Sequence, residues 1–357
     1  MINNYTKIID EDLAYIAGAD LPWREFEGKN VLITGANGAL PAYMAETILY
    51  LNDKLFKRKA TVFALVRNPA KAKKRFEGYQ KNQHLKFIFQ DVCDKIIFNE
   101  SLDYIIHAAS QASPKHYGQD PAGTLLPNVL GTYNLLELAR QKNIKCFLFF
   151  SAGAVYGAAG GNGVLIKEEN FGPLNPLTAD ACYSESKRLG ETMCLAWFNQ
   201  YKVPIKIVRP FHTYGPGIEL DDGRVFSDFC NNIINNQNIK MNSDGGAKRT
   251  FCYLADAVIG FFTVLLKGRV GQAYNIAGEK ATGILELAQI LIGFFPEKNL
   301  KVIFKDDRDK APVKTNAPIY GPDITKIKEL GWKQKYTVAE GFKRILDDYL
   351  CKKVKGN

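Results

Sequence analysis

The chain is predicted to be an α/β protein, a doubly wound parallel Rossmann sheet with a smaller C-terminal substrate-binding lobe. Three observations carry this expectation. Short apolar runs recur between residues 29 and 210, with long helical patterns between them. The runs are apolar on both faces, as strands of a parallel sheet covered by helices must be. The first run leads directly into a glycine turn and a helix, VLITG-AN-G-ALP, the usual opening of a doubly wound fold.

In order, the candidate strands are NVLITG (30–35), TVFALV (61–66), KFIFQD (86–91), DYIIHAA (103–109), CFLFFS (146–151) and IKIVRP (205–210). Residues 1–28 read as an N-terminal extension with a short helix over 10–17. Residues 29–212 read as the NAD(P)-binding Rossmann domain, and 213–357 mainly as the substrate-binding lobe. Beyond about residue 213 the periodicity is less regular and Gly-rich turns appear. A strand near 273–277 is expected to return to the Rossmann sheet. There are no repeats and no low-complexity tract.

Apolar residues make up 46% of the 357, enough for a sizeable core. No apolar stretch reaches 18 residues, so no transmembrane helix is expected. The N-terminus lacks the basic-then-apolar order of a signal peptide. The seven cysteines (93, 146, 182, 194, 230, 252, 351) are scattered with no CxxC pair. That favours reduced thiols in a cytoplasm over a disulfide framework or a zinc site. The formal charge of +10 comes from Lys and Arg spread along the chain. It suits an anionic small substrate and does not argue for nucleic acid or membrane. The densest cluster, KAKKR at 71–75, reads as a solvated helix face.

In the first turn, Gly35 permits a tight bend, and Gly38 lets the backbone approach a pyrophosphate at the helix N-terminus. Pro41 stands where a third glycine is usual; a first helical turn tolerates it. Gly-x-x-Gly alone also fits an ordinary strand-to-helix turn, and its place after the first strand favours the dinucleotide. The second strand ends at Arg67-Asn68, with no Asp or Glu between Thr61 and Lys74. An acid there would serve the ribose 2′-hydroxyl of NAD; Arg67 would instead hold a 2′-phosphate, or be a surface arginine. NADP is therefore favoured, with NAD possible. Asp91-Val92, ending the third strand, is placed for the adenine edge.

Tyr183 and Lys187 lie one helical turn apart and share a face. The ammonium is expected to lower the phenol's pKa and make Tyr183 an acid or base near neutrality. Tyr50 and Lys54 have the same spacing, but follow the first helix, far from a strand's carboxyl end.

The motifs GANGALP, IIHAAS (105–110), NVLGTYNLLE (128–137), FFSAGAVYG, YSESK, RPFHTYGPG (209–217), DDGRVFSDF (221–229), KRTFCYLAD (248–256) and YNIAG (274–278) follow one another in a single order. Over roughly residues 29–280 the chain resembles the extended short-chain dehydrogenases/reductases that act as nucleotide-sugar epimerases, dehydratases and decarboxylases. ASPKHY (112–117) and DGRVFSDF look especially like UDP-glucuronate decarboxylases. The resemblance implies Tyr183 as general acid/base and Lys187 on the nicotinamide ribose. It implies dinucleotide contacts at Gly35, Asn37, Gly38, Ala39, Leu40, Arg67, Asp91, Val92, Ala108, Ala109 and Pro210. Arg224 and Arg249 would hold a diphosphate, or be structural ion pairs. Ser113 and His116 would face the substrate. His212, where the family usually has Asn, would be either a substrate contact or a core histidine. A homodimer packed through helices near 120–140 and 180–200 is also implied.

The departures narrow the chemistry. The family's hydroxyl falls at Ala152, and its dehydratase or decarboxylase acids fall at Gly153 and Ala154. A methyl group and a hydrogen carry no proton, so hydride transfer to a carbonyl is what survives, with Ser151 or a substrate hydroxyl supplying a second hydrogen bond. The expected activity is reduction of a carbonyl on a nucleotide-activated sugar by NADPH. A nucleotide-sugar 4-epimerase is the alternative enzyme, and a non-catalytic nucleotide-sugar-binding protein is the alternative outside catalysis. The base, the sugar and the carbon are not legible.

Overall fold

A computed structural model describes residues 6–159, 164–178, 181–304 and 321–355. Its centre is a seven-stranded sheet. β1 (Asn30–Thr34), β2 (Thr61–Val66), β3 (Leu85–Phe89), β4 (Tyr104–His107), β5 (Cys146–Phe150) and β6 (Ile205–Pro210) lie in the order β3-β2-β1-β4-β5-β6. The strand Gln272–Ile276 lies beyond β6, and every pairing is parallel. This is the doubly wound Rossmann sheet. Four of the six expected strands stop one or two residues early, because the chain turns away at the carboxyl edge. After β1, for instance, Gly35 takes φ +63°, a region that favours glycine.

Side chains alternate across the sheet, as strand geometry requires. Val31, Ile33, Tyr104, Ile106, Cys146, Leu148 and Phe150 belong to one buried cluster. Leu32, Ile105, Phe147 and Phe149 belong to the other. Helices Thr132–Lys142 and Ala181–Tyr201 cover the second face, and helices Ala39–Lys54 and Leu254–Lys267 cover the first. Past β6, short two-stranded pairs carry the C-terminal segments, Thr213–Tyr214 with Cys252–Tyr253 and Lys248–Thr250 with Ala281–Gly283.

The first helix begins at Lys7 and runs to Ala17, three residues ahead of the expected start. It buries Ile9, Leu13 and Ile16 against the first face. Asp12, on the same helix, has no exposed surface. Its carboxylate accepts from Tyr43 (3.2 Å), Tyr253 (2.7 Å) and Arg344 (2.8 Å). Tyr43 lies on helix Ala39–Lys54 and Arg344 on the C-terminal helix Val338–Lys355. Burial pushes the Asp12 carboxyl up to about 6, with Arg344 opposing.

Removing the cation of a buried pair strands the other charge and typically costs about 3–5 kcal/mol. Arg344→Met is expected to lose that much in urea unfolding at neutral pH. Asp12 is raised above its unfolded value, so its proton is held more tightly in the folded state. Without Arg344, which opposes the rise, Asp12 takes its proton at a pH above about 6, so the deficit should shrink as pH falls towards 6 and stay level below it, where Asp12 is neutral in both proteins. A loss below about 1 kcal/mol would show that the pair is not structural.

Candidate active site

The turns leaving the carboxyl edge of the sheet enclose one cavity of about 1500 Å³. Gly35 fits because a Cβ there would stand 2.8 Å from the Ala109 Cα, closer than atoms pack. The turns after β1 and β4 are thereby pressed together. Gly38 is the residue before helix Ala39–Lys54, whose N-terminus faces the cavity, and Pro41 lies in its first turn. Asn37, Ala39 and Leu40 line the same wall, as do Ala108 and Ala109. Arg67 and Asp91, from the ends of β2 and β3, reach the cavity beside Val92 and face each other at 3.5 Å. Asp91 also accepts from the Cys93 amide at 2.9 Å. Its carboxyl is held below the usual range by these bonds, which outweigh burial.

The 71–75 cluster is not the wholly solvated face expected. Lys71, Lys73 and Lys74 are exposed, but Arg75 turns inward and grips the buried Glu46 with both guanidinium nitrogens. Glu46 has no exposed surface and needs a cation; one helical step from a solvated lysine decides which way the side chain goes.

At the other end of the cavity, helix Ala181–Tyr201 presents Tyr183 and Lys187. Lys187 is 3% exposed and donates at 2.6 Å to the Phe150 carbonyl, the last residue of β5. Its nitrogen lies 5.9 Å from the Tyr183 ring centre. Burial brings the ammonium down to about 7. The expected lowering of the Tyr183 phenol is not found. Protein surrounds the ring, and burial pushes the phenol up to about 12, with the Arg224 charge opposing. Tyr117 stacks on it with ring centres 4.9 Å apart. At neutral pH Tyr183 is thus a protonated phenol, a proton donor.

Ser151, Ala152, Gly153, Ala154 and Pro210 also line the cavity. The Ser151 hydroxyl is buried and has no partner among the described residues. A Cβ at Gly153 would stand 2.6 Å from the Phe211 ring, so packing against that ring favours glycine at this position. The loop is pinned. Tyr156 donates to Asn275 (2.6 Å) and accepts from Arg209 (2.7 Å), and Arg188 donates to the Val155 carbonyl (2.7 Å). The acids lining the cavity among the described residues are Asp91, Glu219 and Asp222. Each is paired with a cation, Arg67, Lys71 and Arg224 respectively.

Arg224, Arg249, His212 and Ser113 complete the wall. Arg224 is tied to Asp222, and the Ser113 hydroxyl donates to the Asp222 carbonyl. Arg249 donates to its neighbour's carbonyl at 2.8 Å. His212 opens onto the cavity, yet protein crowds it. Burial and the charges of Arg249 and Arg224 bring it down to about 3, so it is a neutral imidazole. The His116 side chain lies outside those described. Tyr117 and Asp222 were not singled out in the sequence, although both lie in the quoted motifs ASPKHY and DDGRVFSDF. Tyr349 and Lys352, near the C-terminus, also reach the cavity, and no local pattern announces them.

This is the architecture of an extended short-chain dehydrogenase/reductase. The chain belongs to the NAD dependent epimerase/dehydratase family, which it matches over residues 31–277. It is 30% identical over 324 residues to UDP-glucuronic acid decarboxylase 2 of Arabidopsis thaliana, covering 90% of this chain and 68% of that protein. To UDP-glucuronic acid decarboxylase 1 of Xenopus tropicalis it is 30% identical over 326 residues, covering 90% and 72%. Its fold is similar to that of epimerase Mth375 from Methanothermobacter thermautotrophicus, with TM-score 0.78, 21% identity and 98% of each chain covered. It is also similar to the Bacillus cereus UDP-glucuronic acid 4-epimerase solved with NAD, with TM-score 0.74, 22% identity and coverage of 92% and 98%. Among the described residues no helix is long and apolar enough to cross a membrane.

A lysine whose folded pKa lies near 7, below its ordinary 10.5, binds its proton less tightly folded than unfolded. Its charging penalty therefore lifts as pH rises from about 7 towards 10.5. Relative to Lys187→Met, the cofactor-free protein should gain unfolding free energy across that window. A flat difference would mean that Lys187 is not desolvated.

Proposed function

We propose that this protein reduces a carbonyl on a nucleotide-diphosphate sugar, using NADPH. The observation that carries the reading is the stripped loop beside Tyr183. Ala152, Gly153 and Ala154 offer no proton carrier, and each acid on the described cavity wall is already paired. Elimination of water and oxidative decarboxylation both draw on acid–base groups at such a loop; reduction of a carbonyl needs a hydride and one proton. The glycine turn and the helix N-terminus at Gly38 suit a dinucleotide, and a bound NADPH supplies the hydride. Tyr183, a protonated phenol, gives the proton to the carbonyl oxygen. Lys187, held by the Phe150 carbonyl, would contact the nicotinamide ribose. Ser151 has a free hydroxyl to orient the reacting oxygen. Arg224 and Arg249 hold the diphosphate, and the neutral His212 meets the sugar nucleotide as a hydrogen-bonding partner without charge. Leu130, Tyr133, Leu189 and Tyr201 expose apolar surface near the expected dimer helices, which supports a homodimer.

The test is to mix the protein with NADPH and nucleotide 4-keto-sugars and follow absorbance at about 340 nm while products are weighed by mass spectrometry. Net oxidation of NADPH is expected. A 4-epimerase would show none, and a binding protein no turnover. UDP-glucuronate, dTDP-glucose and GDP-mannose should show no loss of carbon dioxide or water at enzymatic rates; either loss would sink the reading of the loop.

Tyr183→Phe keeps the ring and removes the proton, and should lower the rate by about 10²–10⁴-fold. Ser151→Ala should cost much less, and Tyr50→Phe almost nothing. Equal losses at Tyr183 and Tyr50 would refute the assignment.

Arg67 closes β2 where NAD-type sites carry an acid. Arg67→Ala is expected to weaken NADPH binding by about 1–3 kcal/mol, the size of a charged hydrogen bond, and to leave NADH binding nearly unchanged. Equal affinity of the wild type for both dinucleotides would overturn the preference.

A further inference from the structure

Between the glycine turn and the helix of Tyr183 runs a line of buried polar side chains that the proposed chemistry does not itself use. Thr34, His107, Thr132, Asn128 and Ser186 are each at most 2% exposed. They come from the ends of β1 and β4, from the π-helical turn Pro127–Gly131 and the helix that follows it, and from the helix Ala181–Tyr201. Each is bonded to the next, Thr132 reaching Asn128 through its main-chain carbonyl.

The direction of every proton in this line follows from the groups whose roles are fixed. The Asn128 carbonyl only accepts, so the Thr132 hydroxyl donates to it, at 2.6 Å. That hydroxyl has one hydrogen, so toward His107 it accepts, and His107 Nε2, 3.1 Å away, carries the ring proton. The Pro127 carbonyl also lies against this ring. His107 is kept neutral chiefly by its burial, and the Lys187 charge acts in the same sense. Its Nδ1 is therefore an acceptor, and the Thr34 hydroxyl donates to it at 2.9 Å. Thr34 in turn accepts the Ala109 amide at 3.2 Å. Toward the other end, the Asn128 side-chain amide donates to the Ser186 hydroxyl (3.0 Å), which donates to the Tyr183 carbonyl (3.0 Å). Reversing the His107 tautomer would set the bare Nε2 against the Thr132 oxygen, whose hydrogen is given to Asn128, and would cost the Thr34 hydrogen its acceptor at Nδ1.

We infer that His107, fixed as the Nε2–H tautomer, is a positioning residue that registers the Ala108–Ala109 turn against the helix carrying Tyr183 and Lys187. The inference rests on the reading of that turn as part of the dinucleotide site. The Asn128 side-chain oxygen has no partner among the described residues, but a slip of either wall would break several of the chain's other bonds at once, each in a buried setting where an unpaired group is costly. The chain therefore ties the wall at Ala109 to the Tyr183 backbone through directional bonds.

Two measurements on the full-length protein test this. With ¹⁵N-labelled histidine, NMR should show for His107 one bare nitrogen, Nδ1, and one protonated nitrogen, Nε2, unchanged across about pH 5.5–8. The chain has four histidines, so one variant suffices to assign it. The opposite tautomer, or titration within that range, would overturn the inference. The second measurement is the affinity for NAD and NADP. His107→Leu is expected to weaken the tighter-binding dinucleotide by about tenfold, because displacing a positioned group is felt at the ligand. His107→Gln should recover part of this, since an amide both donates and accepts. Ser186→Ala, at the far end, should also weaken binding and add little to His107→Leu, as members of one chain do. Leu102→Ala, a core change on the same sheet face, should cost stability and leave affinity unchanged. Unchanged affinity in His107→Leu, or an equal fall in Leu102→Ala, would overturn the positioning role. If the wild type binds neither dinucleotide, the cofactor reading itself fails, and the NMR result still judges the tautomer.

Discussion

Every functional feature of this protein depends on the sheet being parallel. Parallel strands all end at one edge, so the segments that leave them converge without any long excursion. Gly35, Arg67, Asp91, Ala108, Ser151 and Pro210 follow or close six different strands, and all meet on one cavity. The tightest point is where the turn after β1 presses on the turn after β4. Only glycine fits at Gly35, because a single added carbon would meet the Ala109 backbone. The same approach brings Thr34 within reach of the Ala109 amide, so packing and hydrogen bonding enforce the same spacing.

Desolvation sets the character of the site. Lys187, Tyr183 and His212 are all pushed by burial toward their neutral forms. The carboxylates on the described wall each pair with an arginine or lysine. The wall carries Arg224, Lys248 and Arg249 at one end, a basic lining that suits an anionic ligand.

Helices near the two ends of the described chain brace the glycine-turn side of the cavity. Helix Lys7–Ala17 and helix Val338–Lys355 meet through Asp12 and Arg344, and Thr6 donates to Asp348. Both lie against helix Ala39–Lys54 or its neighbours, and Tyr43 of that helix donates to the same Asp12. Glu46, one turn further on, is locked to Arg75. The helix whose N-terminus faces the cavity is thus held from behind by buried charges. Such groups have few alternative arrangements, because each wrong one leaves an ion without a partner.

The sequence by itself determined the sheet, the glycine turn and the Tyr183–Lys187 face. These follow from local rules: strand and helix periods, the freedom of glycine and the 3.6-residue turn. It also showed that the loop after β5 lacks acids, since Ala152, Gly153 and Ala154 cannot be anything else. The tertiary structure decided what depends on neighbours far along the chain. Tyr183 is raised rather than lowered because burial by the surrounding protein outweighs the charge of Arg224. Arg75 is an inward partner of Glu46, and not part of a solvated face, because the helix beside it buries a carboxylate. Tyr349 and Lys352 reach a cavity formed by residues some three hundred positions earlier in the chain. Charge state and partner choice are set by desolvation and by who stands within a few ångströms, and neither is written in a local pattern of residues.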